Sequence, residues 1–181
     1  MTIIVACEGV MAADGGVFQG DTISSFTAKK IIDNPEGTIL GRKVLCVGLA
    51  GGSSDVDIFL EKMEEGVGRE TSFERKMEVS AIAVLDNGDV ININRTDDGK
   101  YLDFWYDTDH QTSGAGWSEA SNYLKSELEL VGCHDEHSAI SAVAFAIKYN
   151  VWCAGEITAY DYINKRWIHI VTGKQIGRAH V

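Results

Sequence analysis

Met1-Thr2-Ile3-Ile4-Val5-Ala6 is the stretch around which the rest of the sequence is best interpreted. The apolar, β-branched run that follows Thr2 predicts a buried strand. If Met1 is removed, Thr2 carries both a hydroxyl and a free α-amine, a group whose unperturbed pKa is about 7.7–8.0. A threonine hydroxyl with its own amine as base is a known nucleophile–base pair. Thr2 alone is more often the start of an ordinary first strand, so this interpretation depends on the rest of the chain.

The composition indicates one globular domain and argues against a nucleic-acid or membrane partner. The 181 residues carry a formal net charge of −11, from 16 Lys and Arg against 27 Asp and Glu. Nucleic acids and anionic membranes attract basic surfaces, so this balance disfavours both. No apolar run approaches the roughly 18–20 residues of a membrane-spanning helix. Four widely spaced cysteines without a CxxC pair favour a reduced, cytoplasmic setting over a disulfide framework.

The predicted elements run in the order strands, helix, strands, two helices, strands. Apolar residues at Val56, Phe59, Leu60 and Met63 have helical spacing, and further helices are expected from 117 and over 138–151. Because the strands come in hairpins, the order favours an α+β arrangement of antiparallel sheets with outer helices. The predicted strands are 2–7, 10–13, 39–49, 81–85, 90–93, 101–106, 157–162 and 167–171.

The chain is expected to form a single domain over residues 1–175. The final hexapeptide, residues 176–181, breaks the composition of the preceding segment and matches what a common sequencing-adapter sequence would encode in one frame. We therefore expect 176–181 to be a non-native tail and the native C-terminus to be missing.

Four short pieces acquire chemical meaning when they are considered together. Asp14 ends the hairpin that returns from the Thr2 strand, and Lys30 precedes a turn from which a third strand could bring its ammonium close to Thr2. Gly51 lies between a strand and a helix N-terminus, where a backbone N–H can face a developing oxyanion. A terminal nucleophile with its own amine, a carboxylate, an ammonium and a glycine N–H together make an acyl-transfer site.

This ordered set resembles the N-terminal-nucleophile (Ntn) threonine peptidases, that is, the proteasome β-subunits and the HslV-type peptidases, and is similar to small bacterial and phage proteasome-like members. The resemblance covers about residues 2–162 and implies a four-layer α/β/β/α Ntn-hydrolase sandwich, with two antiparallel sheets between helical layers. The motifs that carry it are Thr2-Ile3-Ile4-Val5, Ala12-Ala13-Asp14, Ala28-Lys29-Lys30-Ile31, Leu49-Ala50-Gly51-Gly52-Ser53, Ser113-Gly114-Ala115-Gly116, and the Ala-rich helix 139–151 before Gly155.

The resemblance implies a role for each residue of the set. Thr2 would be the nucleophile and its α-amine the general base. Lys30 would lower the pKa of the nucleophilic centre, Asp14 would orient Lys30, and the Gly51 N–H would be the oxyanion donor. Two further residues would shape the first specificity site: Leu49 and Ser53.

The same resemblance implies the substrate and the partners. Peptides or unfolded proteins would be hydrolysed inside a homo-oligomeric ring, with an ATP-dependent unfoldase as partner. The chemistry would need no metal and no organic cofactor, and the setting would be cytoplasmic.

The supporting residues depart from the family pattern. Ala115 stands where the family usually has a serine that supports the terminal amine, and Ser113 is near but out of register. Val151 and Ala154 stand where proteasome subunits commonly place Asp and Ser. Two alternatives therefore stay open: a catalytically weak or inactive ring subunit of the same fold, and an Ntn amidohydrolase acting on small amides.

One other cluster, Cys133-His134-Asp135-Glu136-His137, contains residue types that bind zinc. Ligands so close in sequence seldom converge on one ion, so the cluster is better interpreted as a polar turn with Asp135 or Ser138 as helix N-cap. Gly51-Gly52 lacks the lysine of a phosphate-binding loop, which argues against nucleotide binding.

Overall fold

The computed structural model describes residues 2–106, 110–168 and 170. The expected tail at 176–181 and the end of the strand predicted at 167–171 lie outside these residues. The elements in chain order are β1 (Ile3–Cys7), β2 (Val10–Asp14), β3 (Val17–Gln19), β4 (Thr22–Ser25), β5 (Ile31–Asp33), β6 (Thr38–Ile39), β7 (Arg42–Gly51), α1 (Ser53–Glu65), β8 (Val79–Leu85), β9 (Val90–Arg95), β10 (Leu102–Tyr106), β11 (His110–Gly114), α2 (Trp117–Val131), α3 (Ser138–Tyr149), β12 (Ile157–Asp161) and β13 (Arg166–Ile168).

Two antiparallel sheets form the body of the fold. The first has the strand order β11-β1-β2-β12-β13, and the second has the order β10-β9-β8-β7-β5, with β6 also paired to β7. β3 and β4 form a separate hairpin. Consecutive strands are mostly hydrogen-bonded neighbours, which is the hairpin connectivity that the sequence predicts.

Three buried clusters alternate with the sheets and define four layers. Alternation along β1 directs Ile3 and Val5 toward α2 and α3, and directs Ile4 toward the second sheet. A third cluster, which includes Val47 and Phe59, joins the outer face of the second sheet to α1. The order of layers is therefore α1, second sheet, first sheet, α2 with α3. The predicted α/β/β/α sandwich is confirmed.

Gly48 in β7 sets the distance between the two sheets. A Cβ at this position would lie 2.6 Å from Ile4 Cγ2 and 3.0 Å from Met11 Sδ. Both contacts are closer than packed side chains allow. The two sheets can approach here only because residue 48 has no side chain.

The helix starts differ from the predicted ones. α1 has Gly52 as its N-cap with no side-chain hydrogen bond, although two serines, Ser53 and Ser54, follow it directly. The N-cap of α3 is His137, not Asp135 or Ser138. The Asp135 carboxylate accepts a 2.8 Å hydrogen bond from the His137 N–H, so it stabilises the turn that precedes α3.

β11 was not predicted by the sequence pattern, although it pairs with β1 along its whole length. In the part of the chain that the structure describes, no helix has the length and apolar character needed to cross a membrane.

Candidate active site

The Asp14 carboxylate connects three separate parts of the chain. Its Oδ1 accepts hydrogen bonds from the Ile3 N–H at 2.9 Å and from Lys30 Nζ at 3.0 Å. Its Oδ2 accepts one from the Ala154 N–H at 3.0 Å. Asp14 is fully buried, so these bonds replace the water that a carboxylate needs. The residue directly after Thr2 is thereby tied to the Lys30 ammonium through one carboxylate.

Lys30 lies just before β5, and its side chain is only 9% exposed. Besides Asp14, its Nζ donates to the Gly16 carbonyl oxygen at 2.5 Å. Burial lowers the pKa of Lys30 below its ordinary value of 10.5, while the Asp14 carboxylate acts in the opposite direction and raises it. The site therefore holds a buried cation whose position is fixed by two acceptors.

Thr2 opens onto a cleft between the two sheets. The cleft has a volume of about 1080 Å³, and Thr2, Gly51, Ser113 and Ala115 are among the residues that line it. The Ala115 N–H donates to the Thr2 carbonyl oxygen at 2.6 Å, which continues the β1–β11 ladder to the start of the described chain. The position of Thr2 is therefore fixed by the hydrogen bond between its carbonyl and Ala115, and by the hydrogen bond between the next residue, Ile3, and Asp14.

Gly51 has a backbone conformation that requires glycine. Its φ is +148°, and a Cβ there would overlap the Glu78 carbonyl oxygen. Glu78 is fixed in turn, because its N–H donates to Asp55 Oδ2 at 2.7 Å and its carbonyl accepts from the Gly52 N–H at 3.2 Å. The turn from β7 into α1 is thus held rigidly beside the cleft.

Four of the predicted site residues line one cleft, and two others form a buried ion pair close to it. Thr2, Gly51, Ser113 and Ala115 line the cleft, while Asp14 and Lys30 form the buried pair behind Ile3. Two predicted residues are placed elsewhere. Leu49 is packed in the cluster on the α1 side of the second sheet, and Ser53 begins α1 as an exposed residue.

Asn150 and Cys153 lie next to the loop that contains Ala115. Asn150 Nδ2 donates to the Ala115 carbonyl oxygen at 3.1 Å, so an amide fixes this loop from the end of α3. Cys153 is buried close to the same loop: a Cβ placed on Gly116 would lie 2.7 Å from the Cys153 Sγ. Burial raises the pKa of the Cys153 thiol to about 12, with the nearby Asp14 carboxylate adding to the effect. Val151 is exposed, and Ala154 contributes its backbone N–H to Asp14.

Sequence reasoning overlooked the residues of the cleft wall. Asn92 and Asn94 line the cleft together with Thr2. A signal for them was present, because asparagines alternate with Ile91 and Ile93 along a strand and so must share one face. The predicted strand at 90–93 contained Asn92 but ended before Asn94, and nothing in the sequence showed that this face meets the Thr2 strand.

The described ranges 2–106, 110–168 and 170 contain no group of three His, Cys, Asp or Glu side chains arranged to hold an ion. His134 Nδ1 instead lies 2.8 Å from Glu127, and its ring meets that of His110 edge-on. These contacts belong to the packing of the turn between α2 and α3.

Comparison with solved structures identifies the fold. The chain is similar to eukaryotic HslV from Trypanosoma brucei, with a TM-score of 0.64, 15% identity, and coverage of 88% of this chain and 97% of that one. It is also similar to BPH from Thiobacillus denitrificans in complex with Epoxomicin, with a TM-score of 0.62, 12% identity, and coverage of 88% and 97%. A second structure of BPH gives a TM-score of 0.60 at 11% identity, covering 88% and 95%.

No protein-family model and no curated protein sequence matches the chain. At 11–15% identity, the similarity to solved structures shows a shared fold. The fold class is that of the HslV- and proteasome-type Ntn hydrolases, and the predicted resemblance is confirmed at this level.

Proposed function

We propose that the chain is a threonine-type endopeptidase subunit that hydrolyses peptide bonds through an acyl-enzyme on Thr2, after removal of Met1. One observation carries the proposal. The buried Asp14 carboxylate joins the Ile3 N–H to the Lys30 ammonium, directly behind the cleft that Thr2 and Gly51 line. A purely structural sandwich has no need of a buried ion pair at this place, since apolar side chains of similar volume are often as stable or more stable.

In the proposed reaction, the Thr2 hydroxyl attacks the scissile carbonyl carbon and its proton passes to the Thr2 α-amine. The Gly51 N–H donates to the oxyanion of the tetrahedral intermediate. The intermediate collapses as the amine returns the proton to the leaving nitrogen, which gives an ester on Thr2 and a free peptide amine. Water then attacks the ester by the same route and restores the hydroxyl.

Lys30 acts through its charge. Its ammonium favours the deprotonated hydroxyl and the neutral terminal amine, because positive charge nearby disfavours a second cation and stabilises an anion. Asp14 acts as the residue that positions Lys30. Leu49 and Ser53 stay predictions as substrate-binding residues, and Ser113 and Ala115 as residues that border the terminal amine.

We further propose that the domain, residues 1–175, works as a cytoplasmic homo-oligomeric ring with an ATP-dependent unfoldase as partner and peptides or unfolded proteins as substrates. HslV and BPH share the fold over 88% of this chain, which supports the comparison of assemblies. Native mass spectrometry of the purified protein tests the assembly, and a stable monomer at working concentration would contradict it.

The catalytic proposal is tested by hydrolysis of a fluorogenic peptide library by the wild type and by Thr2→Ala. We expect Thr2→Ala to reduce kcat/KM by more than about a thousandfold, because both the nucleophilic oxygen and its geometry are lost. Thr2→Ser, which keeps the hydroxyl and the amine, serves as control and is expected to retain measurable activity. Equal rates for the wild type and Thr2→Ala would contradict the assignment.

A second candidate is favoured by Ala115, which provides no hydroxyl near the terminal amine. On this alternative the chain is a catalytically weak or inactive ring subunit, and the wild type hydrolyses nothing faster than Thr2→Ala. Hydrolysis of small amides but not of peptides would instead favour an Ntn amidohydrolase.

A further inference from the structure

Two tryptophans line the Thr2 cleft without being packed into the core. Trp105 is 50% exposed and Trp117 is 58% exposed, and both border the cleft. In the part of the chain that the structure describes, neither indole has a hydrogen-bond partner or a stacked ring, whereas Trp152 and Trp167 each pack on another ring. Large apolar side chains that stay exposed together in one cleft indicate a binding surface.

Trp105 faces the cleft from the second sheet. It pairs with Asn92 across the β9–β10 ladder, and directly paired residues point to the same face of a sheet. Asn92 faces the first sheet, because its amide donates to the Thr112 carbonyl oxygen at 2.8 Å. The Trp105 side chain is therefore on the inner face of β10. The edge strand of the first sheet, β11, packs on β7, β8 and β9, so the inner face of β10 extends beyond it.

Trp117 faces the same cleft from the helical layer. It is the first residue of α2, whose N-cap is Gly116. Ala115, two residues earlier, donates its N–H to the Thr2 carbonyl oxygen, so the start of α2 is fixed beside the nucleophile. The two indoles thus come from different layers of the sandwich and border one space.

Trp105 lies well away from the reacting atoms. Three strand spacings separate β10 from β7, the strand that carries Gly51. Neighbouring strands are about 4.8 Å apart, so the separation across the sheet is roughly 14 Å. An extended peptide advances about 3.3 Å per residue, so this separation corresponds to about four residues. Trp105 is therefore placed to contact a substrate side chain that is remote from the scissile bond.

The charges at the cleft favour an uncharged occupant. Among the described residues that line it, only Glu78 and Arg95 are charged, and they have opposite signs. Ser80 and Asn94, which pair across β8 and β9, add uncharged side chains on the inner face. Asp103 is on the same face of β10 as Trp105 but does not line the cleft. A charged side chain would lose hydration here, while an aromatic ring would gain contact with the indoles.

We propose that Trp105 and Trp117 form an aromatic subsite of the cleft, which binds an uncharged aromatic side chain of the substrate about four residues from the scissile bond. Indoles bind aromatic rings in stacked or edge-on arrangements that aliphatic side chains cannot reproduce. This inference rests on the proposed function, because the position of the peptide is taken from Thr2. It is separate from the expectation for Leu49 and Ser53, which concerns the residue next to the scissile bond.

The experiment uses fluorogenic peptides that share one scissile bond and carry Phe, Leu or Arg at a single position, moved stepwise away from that bond on either side. We expect Phe at about four residues from the bond to give the wild type a kcat/KM about fivefold above that for Leu or Arg, because paired aromatic rings gain more than their buried area. Trp105→Ala and Trp117→Ala are each expected to lower the Phe-to-Leu ratio, and Trp105→Phe to retain part of it.

Tyr106 offers a matched control for Trp105. It follows Trp105 in β10 and has nearly the same exposed fraction, 55%. It pairs with Ile91, which packs toward α1, so its ring is on the outer face and does not line the cleft. Tyr106→Ala is therefore expected to keep the wild-type Phe-to-Leu ratio, although it removes an equally exposed ring from the same strand.

Equilibrium binding of the same peptides to Thr2→Ala, measured by calorimetry, separates this inference from the proposed function. Cleavage by the wild type with no position at which Phe is preferred, a preference for Arg over Phe, or an unchanged ratio in either tryptophan variant overturns the aromatic subsite and leaves the peptidase standing. Absence of cleavage together with Trp105-dependent preference for a Phe peptide in binding overturns the peptidase and supports the subsite. Equal binding of Phe and Leu peptides to Thr2→Ala overturns the subsite whatever the rates.

Discussion

At the scale of single residues, the account depends on one buried charge pair. Asp14 is fully buried and Lys30 nearly so, and the carboxylate accepts three hydrogen bonds from three segments. Such a pair is costly to assemble away from water, and it is even more costly to break from one side. The pair is relevant to catalysis because Asp14 also binds the N–H of Ile3, the residue that follows Thr2.

Replacing Asp14 by Asn removes the charge and keeps the shape. We expect Asp14→Asn to lower the free energy of unfolding by about 3–5 kcal/mol, because the Lys30 ammonium is left buried without a counter-ion. Activity is expected to fall as well, since Lys30 loses the residue that orients it. Urea denaturation and peptide hydrolysis measure the two effects.

The exposed pair Lys62–Glu65 provides the control for this charge removal. Glu65→Gln is expected to leave the denaturation midpoint unchanged, because exposed ion pairs contribute little. A midpoint for Asp14→Asn equal to that of the wild type would contradict the account of the buried pair.

Part of the site could be predicted at this scale and part could not. Thr2, Asp14, Lys30 and Gly51 could be found because their chemistry shows in residue type and in order along the chain. Asn92 and Asn94 could not, because the sequence does not show which face of their strand meets the Thr2 strand.

At the scale of elements, strands and helices with regular apolar spacing could be predicted and polar ones could not. β1 and β8 are buried along most of their length, and α1 has its predicted stripe on the core. β11 escaped prediction because its sequence, HQTSG, has no apolar residue. One of its faces meets the helices and the other meets the cleft, so its position is determined by pairing with β1 and not by its own hydrophobicity.

The contact at Gly48 gives a prediction about the approach of the sheets. We expect Gly48→Ala to reduce the free energy of unfolding by about 1–3 kcal/mol, because the new Cβ would press on the stiff, β-branched Ile4. Gly68→Ala is the matched control, since a Cβ at Gly68 would meet no atom within 4 Å. Thermal and urea denaturation of both variants measure the difference. Equal losses in the two would show that the sheets are not in contact at residue 48.

At the scale of the whole molecule, the four layers determine which cysteines can react. Cys7 and Cys153 are buried in the cluster between the first sheet and α2 with α3, Cys46 is buried between the two sheets, and Cys133 is exposed in the turn between α2 and α3. Burial raises the pKa of Cys46 to about 12, as it does for Cys153, from an ordinary value of 9.0. The three buried thiols therefore belong to the core.

We expect iodoacetamide to modify only Cys133 in the native protein, even at pH 10. At that pH an ordinary thiol is mostly thiolate, while thiols with a pKa of about 12 remain protonated and are shielded as well. Peptide mapping before and after denaturation gives the measurement, and the unfolded chain, in which all four residues react, is the control. Native labelling of Cys46 or Cys153 at the rate of Cys133 would contradict the layer assignment.

The central claim is that Thr2 is a terminal nucleophile. The most direct measurement is the intact mass of the purified chain before and after treatment with Epoxomicin, the compound present in the BPH structure, followed by mapping of the modified residue. The account predicts a chain that begins at Thr2 and gains one inhibitor on Thr2, with no gain in Thr2→Ala. A chain that keeps Met1, or one that begins at Thr2 and gains no inhibitor there, would contradict it.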